Sequence, residues 1–188
     1  MAIGVYLTFR ILDIADMTAE GAFPLGAAVV ASQIQAGRNP WLATLLAFLA
    51  GMIAGLVSGI LHTKMKIPAL LTGIVTLTGL YSINIKIMGG VPNLSIGDSS
   101  TIFKSVMKLG LSNEEAVFLI SISCLIIVCI LLTLLMKTQL GLVLRSTGDN
   151  IPMSEANGVN VDNMKMLGYM ISNGLIAPLW SYVCTKMM

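Results

Sequence analysis

PWLATLLAFLAGMIAGLVSGIL, residues 40–61, runs twenty-two positions without a formal charge. A helix crosses a bilayer core in about 20 apolar residues, so this stretch reads as a complete membrane span. Asn39-Pro40 supplies a tight turn ahead of it. Ala43, Ala47, Gly51, Gly55 and Gly59 recur every four residues along it. Steps of four stay near one helical face, so these positions form a ridge of small side chains. Such a ridge lets another backbone approach closely, which in lipid replaces hydrophobic drive as the source of association. The expected role of Gly51, Gly55 and Gly59 is therefore packing inside a bundle, in preference to a dimer seam, and not chemistry.

Working outward, the same pattern repeats. Ile67–Ile85 holds nineteen uncharged residues, Ala116–Met136 twenty-one and Met166–Thr185 twenty, with Gly21–Gly37 shorter at seventeen. Of the 188 residues, 56% are hydrophobic and 11% charged, against about 25% charged in a soluble domain; the mean hydropathy is +0.88. The expected fold is an all-α integral membrane protein, a polytopic helical bundle forming a single transmembrane domain over residues 1–188. Its spans are placed at about 21–37, 40–61, 67–86, 115–137 and 166–186, after a partial helix at 1–12. Charge does not orient them. If the 62–66 and 137–165 connections share a side, Arg10, Lys64, Lys66, Lys137, Arg145 and Lys165 face Arg38, Lys86, Lys104, Lys108 and Lys186, six against five.

Several function classes drop out. There is no basic run, phosphate-cradling glycine loop, Ser/His/Asp arrangement or His-Glu-x-x-His motif. Cys124 and Cys129 are five apart, about 140° around a helix, and with Cys184 they read as small buried hydrophobes. The lone His62 precedes Thr63-Lys64-Met65-Lys66 and marks a membrane interface. No catalytic residue, metal site, cofactor or nucleic-acid partner is expected, and the chain is not read as an enzyme. Movement of a substrate is the remaining class.

Charges stand beside the membrane at helical spacing in one place: Arg10, Asp13, Asp16 and Glu20. Arg10 and Asp13 can pair, whereas Asp16 and Glu20 on one face would repel. Gly21 and Pro24 follow, so a helix break is expected there. Broken helices with polar groups are tolerated in membranes where they line a cavity or lie within protein. Asp13, Asp16, Glu20 and Pro24 are accordingly candidates for a substrate path, and a solvated turn is the plainer reading of each acid.

Two polar connections interrupt the apolar runs. Residues 88–114 carry Gly89-Gly90, Pro92-Asn93 and Ser95–Ser100, with a surface element expected between Ser100 and Leu111. Residues 138–165 include GLVLRSTGDNIPMSEANGVNVD from Gly141 to Asp162. Within it, Asn150 can cap a short helix, Pro152 sits in its first turn, and Gly158 supplies a left-handed stop. A helix too polar for lipid, held between two spans, needs a docking partner outside the membrane.

YLTFRILDIADMTAEGAFPLGAAVVA (Tyr6–Ala31) and NPWLATLLAFLAGMIAGLVSGILHTKMKIPALLTGIVTLTGLYSIN (Asn39–Asn84) together resemble the permease subunits of bacterial ABC importers of the branched-chain amino acid and ribose class. The branch they are most similar to is the tryptophan/tyrosine-type transport permeases. Gly141, Arg145, Ser146, Gly148, Asn150, Ala156, Gly158 and Val159 match that family's coupling-loop pattern, and the resemblance covers most of residues 4–175. It implies a multi-pass subunit of the bacterial plasma (inner) membrane, dimeric in the bilayer. A cytoplasmic ABC ATPase and an extracytoplasmic substrate-binding protein would be its partners. The 138–165 loop would face the cytoplasm, with Arg145, Gly148, Asp149, Asn150, Met153, Ala156 and Gly158 toward the ATPase and Ile151 docking beside Met153; the 88–114 loop would face outward. The chain starts mid-helix and stops one span after the coupling loop, where family members continue, so an incomplete permease is expected. Two other functions stay open: an inactive permease fragment, and an ion-coupled secondary transporter using intramembrane carboxylates.

Overall fold

The computed structural model describes residues 2–90 and 113–187, and all regular structure among them is helical. Helix α1 (Ala2–Tyr6) continues into a π-helical turn (Leu7–Ile11). After an irregular segment come α2 (Thr18–Gln35), α3 (Pro40–Thr63) and α4 (Ala69–Ile87). Then follow α5 (Asn113–Lys137), α6 (Gln139–Asp149), α7 (Ile151–Ala156) and α8 (Val161–Met187). The element expected between Ser100 and Leu111 lies outside the described residues.

Helices α2, α3 and α8 form the centre, with α4 laid against α2 and α1 against α8. The small-residue ridge of α3 explains the arrangement. Ala43 and Ala47 are fully buried against Val30, Ala31 and Ile34 of α2. One to three turns further on, the ridge meets α8 instead. A Cβ added at Gly51 would lie 2.5 Å from the Asn173 carbonyl oxygen, and one at Gly59 3.0 Å from Met166 Cα. At Gly55 it would overlap the Tyr169 carbonyl, and at Gly26 of α2 the Ala177 carbonyl. Ala177 thus sits where three helices meet, and glycine on both neighbours is what admits it.

Helix α5 stands apart. It touches the bundle chiefly through α6, and Ile122, Leu125, Ile126, Ile127, Ile130, Leu131 and Leu134 are exposed along it. A helix apolar all round belongs in lipid or against another apolar surface. Cys129 lies exposed here, which corrects its reading as a buried hydrophobe. At Thr138 the chain turns by 79° into α6. The Thr138 hydroxyl donates to the Leu135 carbonyl at 2.6 Å and accepts from the Gly141 amide at 3.4 Å, serving both the end of one helix and the start of the next.

By length and apolarity, the α3 segment Trp41–Thr63 and α4 qualify as spans among the described residues, with the bent α5–α6 pair a third. Helices α2 and α8 also form where spans were expected, at 21–37 and 166–186, but they are less apolar. They carry polar side chains, among them Thr18, Ser172 and Asn173, which are buried within the bundle: Thr18 and Asn173 meet Asp16, and Ser172 donates to the Gly4 carbonyl.

Candidate functional site

The segment between the π turn and α2 is the irregular element at the centre of the bundle. Its geometry starts from backbone bonds: the Leu12 amide reaches the Leu7 carbonyl and the Ile14 amide the Thr8 carbonyl, overshooting the α-helical spacing. Asp13 then takes a left-handed conformation with φ 54, which an aspartate tolerates better than most residues. The break therefore falls at residues 12–17, ahead of the position expected from Gly21 and Pro24. Both of those lie inside α2. Pro24 has no N–H to offer the Glu20 carbonyl, yet α2 continues to Gln35.

The break separates the acids. Asp13 and Glu20 are exposed, whereas Asp16 is only 8% exposed. Asp16 and Glu20 share no helical face, because Asp16 precedes α2. Among the described residues Arg10 forms no ion pair with Asp13. The Asp16 carboxylate accepts from the Thr18 amide at 2.8 Å, satisfying one of the unpaired donors that begin a helix. Its other oxygen accepts from Nδ2 of Asn173 at 2.9 Å, and Nδ2 also reaches the Tyr169 carbonyl at 3.0 Å.

From Thr18 the polar chain continues through the core. The Thr18 and Ser58 hydroxyls are 2.8 Å apart, Ser58 donates to Thr76 Oγ1 at 3.1 Å, and Thr76 donates to the Thr72 carbonyl at 2.8 Å. A hydroxyl has one hydrogen. Since Ser58 and Thr76 each spend theirs onward, Thr18 must be the donor to Ser58. Asn173, Asp16, Thr18, Ser58 and Thr76 thus tie α8, the break, α2, α3 and α4 into one buried chain. Gly73 of α4 leaves room for Met17 beside it: a Cβ there would lie 2.7 Å from the Met17 Cβ.

Sequence reasoning singled out Asp16 but missed Thr18, Ser58 and Asn173. His62 lies close by, its ring centre 6.0 Å from that of Tyr169, and bonds the Ile67 carbonyl at 2.8 Å. A carbonyl can only accept, so Nδ1 carries the proton. This closes the α3–α4 turn. A separate cavity of about 380 Å³ between α2, α3 and α4 is lined by apolar side chains except Thr76. The Thr76 hydrogen is already committed, so the cavity has little for a polar solute.

The second candidate element is the α6–α7 pair. Asn150 caps α7, its side chain accepting from the Met153 amide at 3.1 Å; Pro152 lies in the first turn and Gly158 has φ 77. Ser154 is buried, while Ile151 and Met153 are exposed. Arg145, Gly148 and Asp149 belong to α6, a helix not anticipated within the polar insertion. Its signals were Thr138 as cap and the buried spacing of Gly141, Leu144 and Thr147. Arg145 and Asp149 form an exposed ion pair at 3.9 Å, and Gly148 brings α6 against the Ile11 carbonyl. Ala156 and Gly158, at the end of α7, are exposed.

A protein-family profile described as branched-chain amino acid transport system / permease component matches residues 1–183. The chain is 45% identical over 179 residues to a tyrosine transport system permease protein of Clostridioides difficile (strain R20291), covering 94% of this chain and 57% of that protein. An uncharacterized protein of Rickettsia prowazekii (strain Madrid E) is 37% identical over 177 residues, covering 94% of this chain and 60% of that one. The chain therefore spans less than two thirds of the length of these relatives. No solved structure matches it.

Proposed function

The chain belongs to the branched-chain amino acid transport permease family, and from that premise we propose that it is the membrane permease component of an ATP-driven importer. Its solute would be an amino acid or a related small polar compound, a reading supported by the name of the tyrosine permease relative. The bacterial plasma membrane would hold it as a multi-pass subunit, paired with a second permease, a cytoplasmic ATPase and an external substrate-binding protein.

The observation that carries the coupling part of this reading is the exposure of Ile151 and Met153 on α7, at 40% and 63%. Exposed apolar side chains on a short helix beyond the membrane spans would give an ATPase surface something to dock against. With α6–α7 inward, ATPase closure would push on α7 and pass the motion to α8, which follows directly. Helix α8 carries Asn173, so the displacement would reach the Asp16 segment. Asp13, Glu20 and Pro24 would flank the path without forming its centre.

The buried Asp16 also favours a second reading, ion-coupled transport, in which an intramembrane carboxylate exchanges its counter-ion. Co-purification of the protein with a co-expressed ABC-type ATPase separates the two. Wild type should retain the ATPase, whereas Met153→Asp should lose it. Retention by Met153→Asp and by Gly158→Pro alike would remove α7 from the coupling role.

A further inference from the structure

A cavity of about 590 Å³ opens between the π turn after α1, the end of α5 and the length of α6. Three cations line it: Arg10, Lys137 and Arg145, against a single carboxylate, Asp149. Arg145 already pairs with that carboxylate. Among the described residues Arg10 and Lys137 have no ion-pair partner, so the cavity carries a surplus of positive charge. Its remaining wall is largely apolar, with Leu132 and Met136 of α5 prominent.

We propose that this cavity holds the headgroup phosphate of an anionic membrane phospholipid. Three features converge on that occupant. Lys137 is the last residue of α5, and the 79° bend at Thr138 lays α6 across the end of that span. The cations therefore lie at the depth where an apolar helix gives way to polar chain, which is headgroup depth. Arginine forks match phosphate oxygens in pairs, and basic pockets between membrane helices recognise anionic headgroups. The apolar wall continues into the exposed Leu131, Leu134 and Ile130 of α5, a surface along which acyl chains can lie. A soluble anion would satisfy the cations alone; a phospholipid satisfies both parts of the site.

The site rests on the permease reading only for its leaflet, which follows from an inward α6. Arg145 and Asp149 line it as well as being expected to face the ATPase, so the variants are placed at Arg10 and Lys137, outside that surface, which keeps lipid retention and ATPase retention separate readouts. The test is native mass spectrometry of the detergent-purified chain after exchange into mixed phosphatidylglycerol and phosphatidylcholine micelles. Wild type is expected to retain phosphatidylglycerol selectively. Arg10→Gln and Lys137→Gln should each lower that retention about fivefold, as expected for loss of one interfacial cation. Arg38→Gln, remote from the cavity lining, should leave it unchanged. The charge-preserving pair Arg10→Lys with Lys137→Arg should keep it, which guards against a folding defect in the neutral variants.

Equal retention of the two lipids by wild type would overturn the proposal. So would undiminished phosphatidylglycerol retention in the double glutamine variant. Displacement of the lipid by inorganic phosphate at matched concentration would replace it with a free-anion site. Loss of the ATPase from the glutamine variants, with lipid retention unchanged, would replace it with a protein-docking surface.

Discussion

Asn173 and Asp16, 157 positions apart in sequence, meet through a 2.9 Å hydrogen bond in the interior of the bundle. Each is held from a second direction, Asp16 by the Thr18 amide and Asn173 by the Tyr169 carbonyl. The bond therefore couples the start of α2 to the middle of α8, and mutating either end should weaken the same junction.

A double-mutant cycle on Asp16→Ala and Asn173→Ala measures that coupling. Bonds between membrane helices average about 0.6 kcal/mol, whereas bonds to a charged group reach about 1.5–3 kcal/mol. The expected coupling lies between these two figures. Equilibrium unfolding in detergent reads it; additivity within about 0.5 kcal/mol would mean the two side chains act independently.

The ridge on α3 gives a sharper contrast. At Gly55 an added Cβ would fall on the α8 backbone, 2.7 Å from the Tyr169 carbonyl carbon, whereas at Gly79 of α4 nothing lies within 4 Å. Gly55→Ala should destabilise by about 1–3 kcal/mol through overpacking. Gly79→Ala should be neutral or stabilising by up to about 1 kcal/mol through helix propensity. Thermal unfolding of both variants decides it, and equal effects would refute the α3–α8 contact.

Tyr169 is 1% exposed, and its hydroxyl has no partner among the described residues. Removing a polar group that makes no bond relieves a desolvation cost rather than losing an interaction. Tyr169→Phe should leave the melting temperature unchanged or raise it. A clear drop would show that the hydroxyl is engaged.

Asn150→Ala removes the side-chain cap of α7 and should cost about 0.5–2 kcal/mol. Because α7 is short and mostly exposed, the loss should stay local. Hydrogen exchange should quicken at residues 151–156 while α3 and α8 keep their protection. Faster exchange throughout the bundle would indicate that α7 supports the core.

The pattern of success and error in reading the chain follows interaction range. Residues 40–61 and 67–86 closely anticipate α3 and α4, because long uncharged runs have one solution in lipid. The Asn150 cap was legible for a similar reason: a cap and the amide it serves lie within four residues. The break was misplaced because Gly21 and Pro24 are strong local disruptors, while α2 is supported along its length by α3, α4 and α8. Helix α6 was absorbed into a polar insertion because its buried face, Gly141, Leu144 and Thr147, is narrow and contains only one large apolar residue.

The sequence by itself determined a bundle of helices in a membrane and the packing chemistry of the α3 ridge, since both follow from apolar runs and spacing within one helix. It also determined the capped helix between the last two apolar runs. Tertiary structure alone decided which acid is buried and what meets it. Asp13, Asp16 and Glu20 are alike as local sequence. They differ because the turn at Asp13 directs Asp16 inward, where Asn173 arrives from a helix far along the chain. A contact of that range leaves no periodic trace in either segment, so only the folded arrangement brings it into view.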